Sequence, residues 1–331
     1  MNIIGSSSTI KSLYFKQSNM YIDWQLSDVC NFKCTYCNRA SMGGLEGWPT
    51  IEQAKSLVDD ILSHSVHDYR TYNLLGGEPT LWKHFGELCT YIHEEDENPI
   101  IQVLTNGSRM PRWWQKYAPI MDKIIISHHV ATTKDRSPEH TIMVAETCYP
   151  NSNVSIQILM DIDNFDDCVI HFDTMIQRLP GFRITPKKGE TNLGSNAWMP
   201  YSSEQLAWFD DALVRAKANE RLVSTIHKET KESIDRRFFA SDGKTEWHTS
   251  NKDLIINDTN HFEGWNCNIG IDMIAVKPSG QIRPSSSCFK NVTLGNYRTD
   301  EPISWSKTPF VCNQASCFCG ADIEVEKHEP K

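Results

Sequence analysis

The stretch CNFKCTYC, residues 30–37, sets Cys30, Cys34 and Cys37 directly after YIDWQL (21–26), an apolar run that reads as a β-strand. A structural zinc site normally closes its tetrahedron with four protein ligands. Three thiols leave one coordination position open. Cysteine thiolates are also the usual ligands of iron–sulfur clusters. A cubane of four irons held by three cysteines would keep one iron free for an exogenous molecule. The loop follows the carboxyl end of a strand, where α/β folds place their sites.

Outward from this loop the chain alternates short apolar runs with helical periods. Thr50 and Gln53 form a capping-box pair ahead of Ile51, Ala54, Leu57, Val58, Ile61 and Leu62, which repeat at helical spacing. TYNLL (71–75) is a second strand, ending in GGEPT (76–80), and a helix with Trp82, Phe85, Leu88 and Ile92 on one face follows. Further strands are expected at 100–107, 123–129, 154–160 and 182–188. Between them come a short helix around RWWQKY, a helix opened by Ser137-Pro138 and a helix over 165–178. A sixth helix begins at Ser202 with Gln205 as its capping-box partner. Six strand–helix alternations with nearly continuous apolar strands predict an α/β fold, a parallel sheet covered by helices.

The pattern breaks after the sixth helix. Residues 219–264 are charged and mixed, and read as a bridge with a helix near 226–240 and a loop around SDGKTEWHTSN (241–251). From 265 the text becomes IGIDMIAVKPSGQIR, two short strands around a Pro-Ser-Gly turn. Cys267 and Cys288 bracket this hairpin, and CNQASCFCG supplies Cys312, Cys317 and Cys319. The expected domains are therefore 1–218, a bridge at 219–264, and 265–331.

The 331 residues include 39% hydrophobic residues and ten tryptophans, enough for a sizeable core. The balance of 33 Lys+Arg against 42 Asp+Glu, a net charge of −9, argues against a protein that coats nucleic acid. The N-terminus lacks the charged segment and apolar run of a signal peptide, and no apolar run reaches membrane-spanning length. A cytoplasmic location follows as the expectation, with the thiols reduced. Eight of the eleven cysteines fall in the two groups above. Cys89, Cys148 and Cys168 stand alone in helical stretches, where a free cysteine is usually core.

CxxxCxxC with the aromatic Tyr36 before its last cysteine, followed about forty residues on by GGEPT, resembles the radical S-adenosylmethionine (SAM) superfamily. The resemblance covers about residues 20–190 and implies a partial (β/α)6 TIM-like barrel. It implies that Cys30, Cys34 and Cys37 hold a 4Fe–4S cluster whose fourth iron chelates SAM. Tyr36 would lie near the adenine. Gly76, Gly77 and Glu78 would meet the methionyl amino group, with Pro79 stiffening the turn. Ser127 matches a ribose-contact position, whereas His128 and His129 stand where relatives commonly carry an acidic residue. The implied chemistry is one-electron cleavage of SAM to methionine and a 5′-deoxyadenosyl radical, which abstracts a hydrogen atom from a C–H bond. Cys267, Cys288, Cys312, Cys317 and Cys319 resemble a shortened SPASM or twitch extension, implying one auxiliary 4Fe–4S cluster. Five cysteines compete for four ligand places, and a closed zinc site is the alternative there.

Asn106, with Thr105, is expected in the site layer, although Asn-Gly is also a common turn pair. Arg183, Lys187 and Lys188 are candidates for an anionic group of the substrate, and Trp113 and Trp114 read as packing. The leading function is an oxidoreductase-type radical enzyme acting on a small molecule. It would be supplied by an electron donor such as flavodoxin or ferredoxin. The alternatives are a maturase of peptide or protein side chains and a non-catalytic metal-binding protein. With 29 residues before Cys30 and twelve after Cys319, no room is expected for a leader-recognition module.

Overall fold

The computed structural model describes residues 10–37, 43–130, 137–191, 197–221, 238–299 and 301–330. In chain order the first strands are β1 (Ser12–Phe15) and β2 (Asn19–Gln25). The alternation then runs α1 (Ile51–His64), β3 (Tyr69–Leu75), α2 (Phe85–Glu95), β4 (Pro99–Thr105) and α3 (Pro111–Tyr117). It continues through β5 (Lys123–His129), α4 (Pro138–Cys148), β6 (Asn153–Met160), α5 (Phe165–Arg178), β7 (Arg183–Lys188) and α6 (Ser203–Glu220). This is the expected α/β class, with the six strand–helix alternations of a partial barrel that does not close. Boundaries differ by at most three residues, and those at 123–129 and 165–178 coincide. Trp82 falls before α2, as the residue that caps a 3-10 turn (Pro79–Leu81), although it is buried as its spacing suggested.

Cα packing divides the chain into two compact units. One contains 25–51 and 73–230. Its strands β4, β5, β6 and β7 pair in parallel, in that order. In β5, Ile124 and Ile126 are fully buried, and so are Ile156 and Ile158 in β6. A strand covered by helices on one face and lining the interior with the other has to be apolar almost throughout. Ser202 and Gln205 form the full capping box that starts α6. Pro138 occupies the first turn of α4, but Ser137 makes no side-chain cap bond there. Cys89, Cys148 and Cys168 are fully buried on α2, α4 and α5. Burial raises their thiol pKa values, to about 12 for Cys148 and Cys168. Trp114 is fully buried and Trp113 stacks on Phe85, so this pair is packing.

The other unit contains 1–24, 52–72 and 231–331. The expected hairpin is present as β11 (Met273–Val276) and β12 (Gln281–Arg283), with Gly280 at φ +87° in its turn. All four residues of β11 are buried, and the strand pairs in parallel with Tyr21–Trp24 of β2. A second sheet was not foreseen. It has the order β14–β10–β15–β1–β8–β9, built from β8 (Phe238–Ser241), β9 (Glu246–Thr249), β10 (Asn266–Cys267), β14 (Phe310–Val311) and β15 (Lys327–His328) with β1. A short β13 (Gly295–Asn296) flanks β12.

The helix expected near 226–240 lies outside the described residues up to 237, and 238–240 are strand. The expected loop at 241–251 is also corrected. Its Asp242-Gly243 pair turns β8 into β9, with Asp242 Oδ1 accepting from the backbone N–H of Lys244 (2.9 Å) and Thr245 (2.8 Å). A short helix α7 (Asn251–Ile256) follows, capped by the Ser250 hydroxyl. Asp-Gly between two short strands is a hairpin signal, masked here by the surrounding charge. Among the described residues no helix is long and apolar enough to cross a membrane.

Candidate active site and cysteine clusters

Three backbone hydrogen bonds place the cysteine loop. Leu26 N–H donates to Leu75 O, Gly77 N–H to Ser27 O and Glu78 N–H to Val29 O, each at 2.8 Å. The end of β3 is thereby zipped to the segment that leads into Cys30. The approach leaves no space for side chains. A Cβ on Gly77 would stand 2.2 Å from Val29 O, and one on Gly76, at φ +142°, would stand 2.5 Å from Ser27 O. Both glycines thus let the two loops come close to each other. Asp28 fixes the far side of the turn by accepting from Leu45 N–H and Glu46 N–H.

Cys30, Cys34 and Cys37 all open into one cavity of about 260 Å³. Gly76, Gly77, Thr105, Asn106, Ser127 and His129 reach the same space from the ends of β3, β4 and β5. Phe32, Tyr36 and Leu159 supply its apolar wall, with Met199 packed behind the loop. Cys30 Sγ accepts from Phe32 N–H at 3.4 Å and faces Asn106 Nδ2 at 4.0 Å. Burial raises the Cys30 thiol, and both contacts act in the opposite direction, toward the thiolate.

Glu78 has a different place from the one expected. It is fully buried and, like Pro79, does not line the cavity. Its Oε1 accepts from the hydroxyls of Thr80 (2.6 Å) and Thr105 (2.7 Å) and from Thr80 N–H, while Oε2 accepts from Asn106 N–H at 2.5 Å. The carboxylate is a strut from the end of β3 to the end of β4. Burial raises its pKa, against the pull of these donors. Asn106 continues the chain of contacts by donating to Asn31 Oδ1 at 2.9 Å.

The adjacent histidines separate. His129 faces the cavity and lies 2.7 Å from the Tyr36 hydroxyl. His128 points into the helix layer, 2.9 Å from Thr141 Oγ1 and 2.8 Å from His171 Nδ1. Successive strand residues face opposite ways, so only one of the pair can reach a ligand. The same rule explains Gln157 and Leu159 on β6, both in the cavity wall. Gln157 was missed, although a lone polar residue in the apolar VSIQILM run was a usable signal. Arg183 is corrected: it begins β7, at the opposite end from the cavity. Lys187, at the far end of that strand, lines the cavity with Glu190. Desolvation lowers the Lys187 ammonium and the Glu190 carboxylate opposes this.

The second cysteine group stands in the other unit. Cys267 lies in β10, hydrogen-bonded between β14 and β15. Buried Asn260 clamps Cys317: its carbonyl accepts Cys317 N–H and its amide donates to Cys317 O. Cys312 N–H donates to Trp265 O at 2.7 Å. Buried Asp322 accepts from Ser286 N–H, Ser287 N–H and the Ser287 hydroxyl, holding the segment that carries Cys288. Burial pushes Cys288 and Cys317 up to about 12 and raises Cys267 and Cys319. Neighbouring thiolates add to the rise: Cys312 acts on Cys267 and Cys288, and Cys319 acts on Cys317. All five thiols are therefore within electrostatic reach of another.

Both donor sets are thiols, the usual ligands of iron–sulfur clusters and of structural zinc. Among the described residues no three His, Cys, Asp or Glu side chains converge as ligands of one metal. The first group has three thiols on a cavity with no fourth cysteine in its lining, and its cavity joins apolar walls to a few polar groups, as a small-molecule site does.

Comparison with known proteins agrees with this geometry. Residues 24–150 match the model of the Radical SAM superfamily. Among solved structures, native anSMEcpe with bound AdoMet is similar over 85% of this chain and 78% of its own, with a TM-score of 0.54 and 17% identity. The same protein with bound AdoMet and the Cp18Cys peptide is similar with a TM-score of 0.51 and 15% identity, over 85% of this chain and 78% of its own. Streptococcus suis SuiB bound to precursor peptide SuiA is similar over 88% of this chain and 66% of its own, with a TM-score of 0.53 and 12% identity. These likenesses show a shared fold. The likeness to the Radical SAM superfamily thus rests on residues 24–150 of this chain.

Proposed function

We propose that this protein is an oxidoreductase-type radical SAM enzyme that removes a hydrogen atom from a C–H bond of a small molecule. In this reading the C-terminal cysteines hold one auxiliary 4Fe–4S cluster. The observation that supports it most is the backbone zipper between Ser27–Val29 and Gly77–Glu78, which brings three thiols and the GGEPT loop to one cavity.

Cys30, Cys34 and Cys37 would hold the first cluster, and the bound groups supply the one-electron cleavage of SAM and the hydrogen-atom abstraction. The chain's own residues do the rest. Phe32 N–H and Asn106 Nδ2 steady the Cys30 sulfur. Phe32, Tyr36 and Leu159 exclude water, which a carbon radical reaction needs. Gly76, Gly77, Asn106, Ser127 and His129 are the candidate contacts of SAM. Gln157, Lys187 and Glu190 offer polar and charged contacts that orient a substrate carrying both an acidic and a basic group. The auxiliary cluster would take the electron left on the oxidised substrate. A flavodoxin or ferredoxin would reduce the first cluster in the cytoplasm.

The test replaces Cys30, Cys34 and Cys37 together by Ala and follows 5′-deoxyadenosine with dithionite and SAM. Production is expected to vanish; unchanged production overturns the assignment of these cysteines, and no production by the wild type favours the non-catalytic metal-binding alternative. The auxiliary cluster predicts about eight irons in the wild type, as two cubanes of four, and about half of them in this variant. Stoichiometric zinc in the variant would instead identify a closed zinc site.

A second reading is a maturase acting on a peptide side chain. It is favoured by the similar folds seen with peptides bound, anSMEcpe with Cp18Cys and SuiB with SuiA. SAM cleavage stimulated by peptide fractions and not by small-molecule fractions of an extract would select it.

A further inference from the structure

Lys327 is only 1% exposed. Its ammonium donates to three backbone carbonyls, of Asp322 at 2.7 Å, Val325 at 2.9 Å and Ile323 at 3.1 Å. It also lies over the Phe262 ring, 5.5 Å from the centroid. Among the described residues no carboxylate forms an ion pair with it. A buried charge without a countercharge is one of the costliest features a fold can carry. Carbonyl dipoles and a ring face offset part of that cost, while the buried Asp322 carboxylate accepts from Ser286 N–H, Ser287 N–H and the Ser287 hydroxyl and forms no ion pair with the ammonium.

The sheet register shows where the opposite charge belongs. Lys327 stands directly across the β10–β15 ladder from Cys267. Residues facing each other across an antiparallel pair project from the same face with their Cβ atoms about 4.5–5.5 Å apart. Cys312 and Cys317 pack in the same apolar cluster as Phe262, the ring beneath the ammonium. A buried cation thus stands across the ladder from one C-terminal thiol and over a ring on which two more pack.

We propose that Lys327 is the fixed countercharge of an anionic iron–sulfur centre on the C-terminal cysteines, and that it raises the reduction potential of that centre. The inference rests on the auxiliary-cluster reading above. Four thiolates around a cubane of two ferric and two ferrous irons carry a net charge of two minus. Gaining one electron, with no proton, makes it three minus. A neighbouring positive charge stabilises the more negative state more, so it eases reduction. That suits a centre that accepts an electron from an oxidised substrate.

The test uses the full chain with Cys30, Cys34 and Cys37 replaced by Ala, so that only the second centre is read. Iron content and an EPR-monitored redox titration are measured for that protein and for Lys327→Met, Lys327→Gln and Lys327→Arg made in it. Gln keeps N–H donors for the carbonyls without the charge, and Arg keeps the charge. At a fixed potential the reduced-to-oxidised ratio should fall about tenfold or more in the Met and Gln variants, equal to about 59 mV for a one-electron couple. The Arg variant should stay near its parent. An unchanged ratio in both neutral variants, or an equal fall in Arg, overturns the proposal and leaves the auxiliary cluster standing. If the neutral variants lose their iron, retention by Arg supports the proposal, and loss by Arg assigns Lys327 to folding alone. A parent protein without a second iron centre overturns the cluster reading and this inference together.

Discussion

The Tyr36 hydroxyl lies 2.7 Å from Nδ1 of His129, joining the cysteine loop to the carboxyl end of β5 across the cavity wall. Burial, and then the neighbouring Cys34, raise the Tyr36 pKa, so the side chain remains a phenol. This contact pins the last turn of the loop to the sheet. Tyr36→Phe and His129→Ala should each weaken SAM binding about three- to tenfold, the value of about one hydrogen bond. The double variant should cost less than the sum, with a coupling of about 1 kcal/mol. Calorimetric titration of SAM into the four reconstituted proteins checks this.

Gly77→Ala should damage the first cluster selectively. The added methyl would sit 2.2 Å from Val29 O, so the zipper that presents Cys30 must open. Overpacking of this kind costs about 1–3 kcal/mol. Iron per chain should fall by about half, since the residues around Cys267 and Cys317 are untouched. Iron analysis after anaerobic reconstitution, with no fall in Gly77→Ala, would show that the zipper is dispensable.

The His128–His171 pair predicts an acid-sensitive element in the helix layer. Burial lowers the His171 pKa below its ordinary 6.5, with Asp167 partly opposing. Between the lowered value and 6.5 the unfolded chain binds more protons than the folded one. The stabilisation from the neutral ring is therefore complete above pH 6.5 and is lost as pH falls toward the folded value. The loss is modest, because the ring is partly exposed and solvent screens its charge. Thermal melts at pH 7.5 and 5.5 should show a larger drop for wild type than for His171→Gln.

Replacing Cys89, Cys148 and Cys168 one at a time by Ala should leave iron content and SAM cleavage unchanged. Each sits fully buried on a helix, and none lines the cavity. Each should lower stability by about 1–2 kcal/mol through lost packing. Urea unfolding measures the stability, and a loss of iron in any of them would make that thiol a ligand.

The alternating half of the chain was legible because its signals are local. Ile51 to Ile61 repeat at helical spacing, Ile124 to Ile126 make an unbroken apolar run, and Ser202 with Gln205 marks a helix start within four residues. These patterns act over one turn or one strand, so the residues themselves carry them. The same holds for the hairpin turn at Gly280 and for the three cysteines grouped at Cys30, whose number and spacing are chemical facts before any folding.

Long-range placement was not legible. Nothing in SLYF says that β1 will lie between β8 and β15, or that Lys327 will face Cys267, because register is decided by which strands meet. Glu78 could be read as an acid near a ligand; only the folded chain surrounds it with Thr80, Thr105 and Asn106 and takes it out of the cavity. His128 and His129 were equivalent on the page, and the pleat of β5 turned one toward the cavity and the other toward His171. Sequence alone therefore determined the chemistry that the chain carries, through residue types and local spacing. The tertiary structure decided which of those groups face the cavity, because facing is a property of strands and helices brought together from distant parts of the chain.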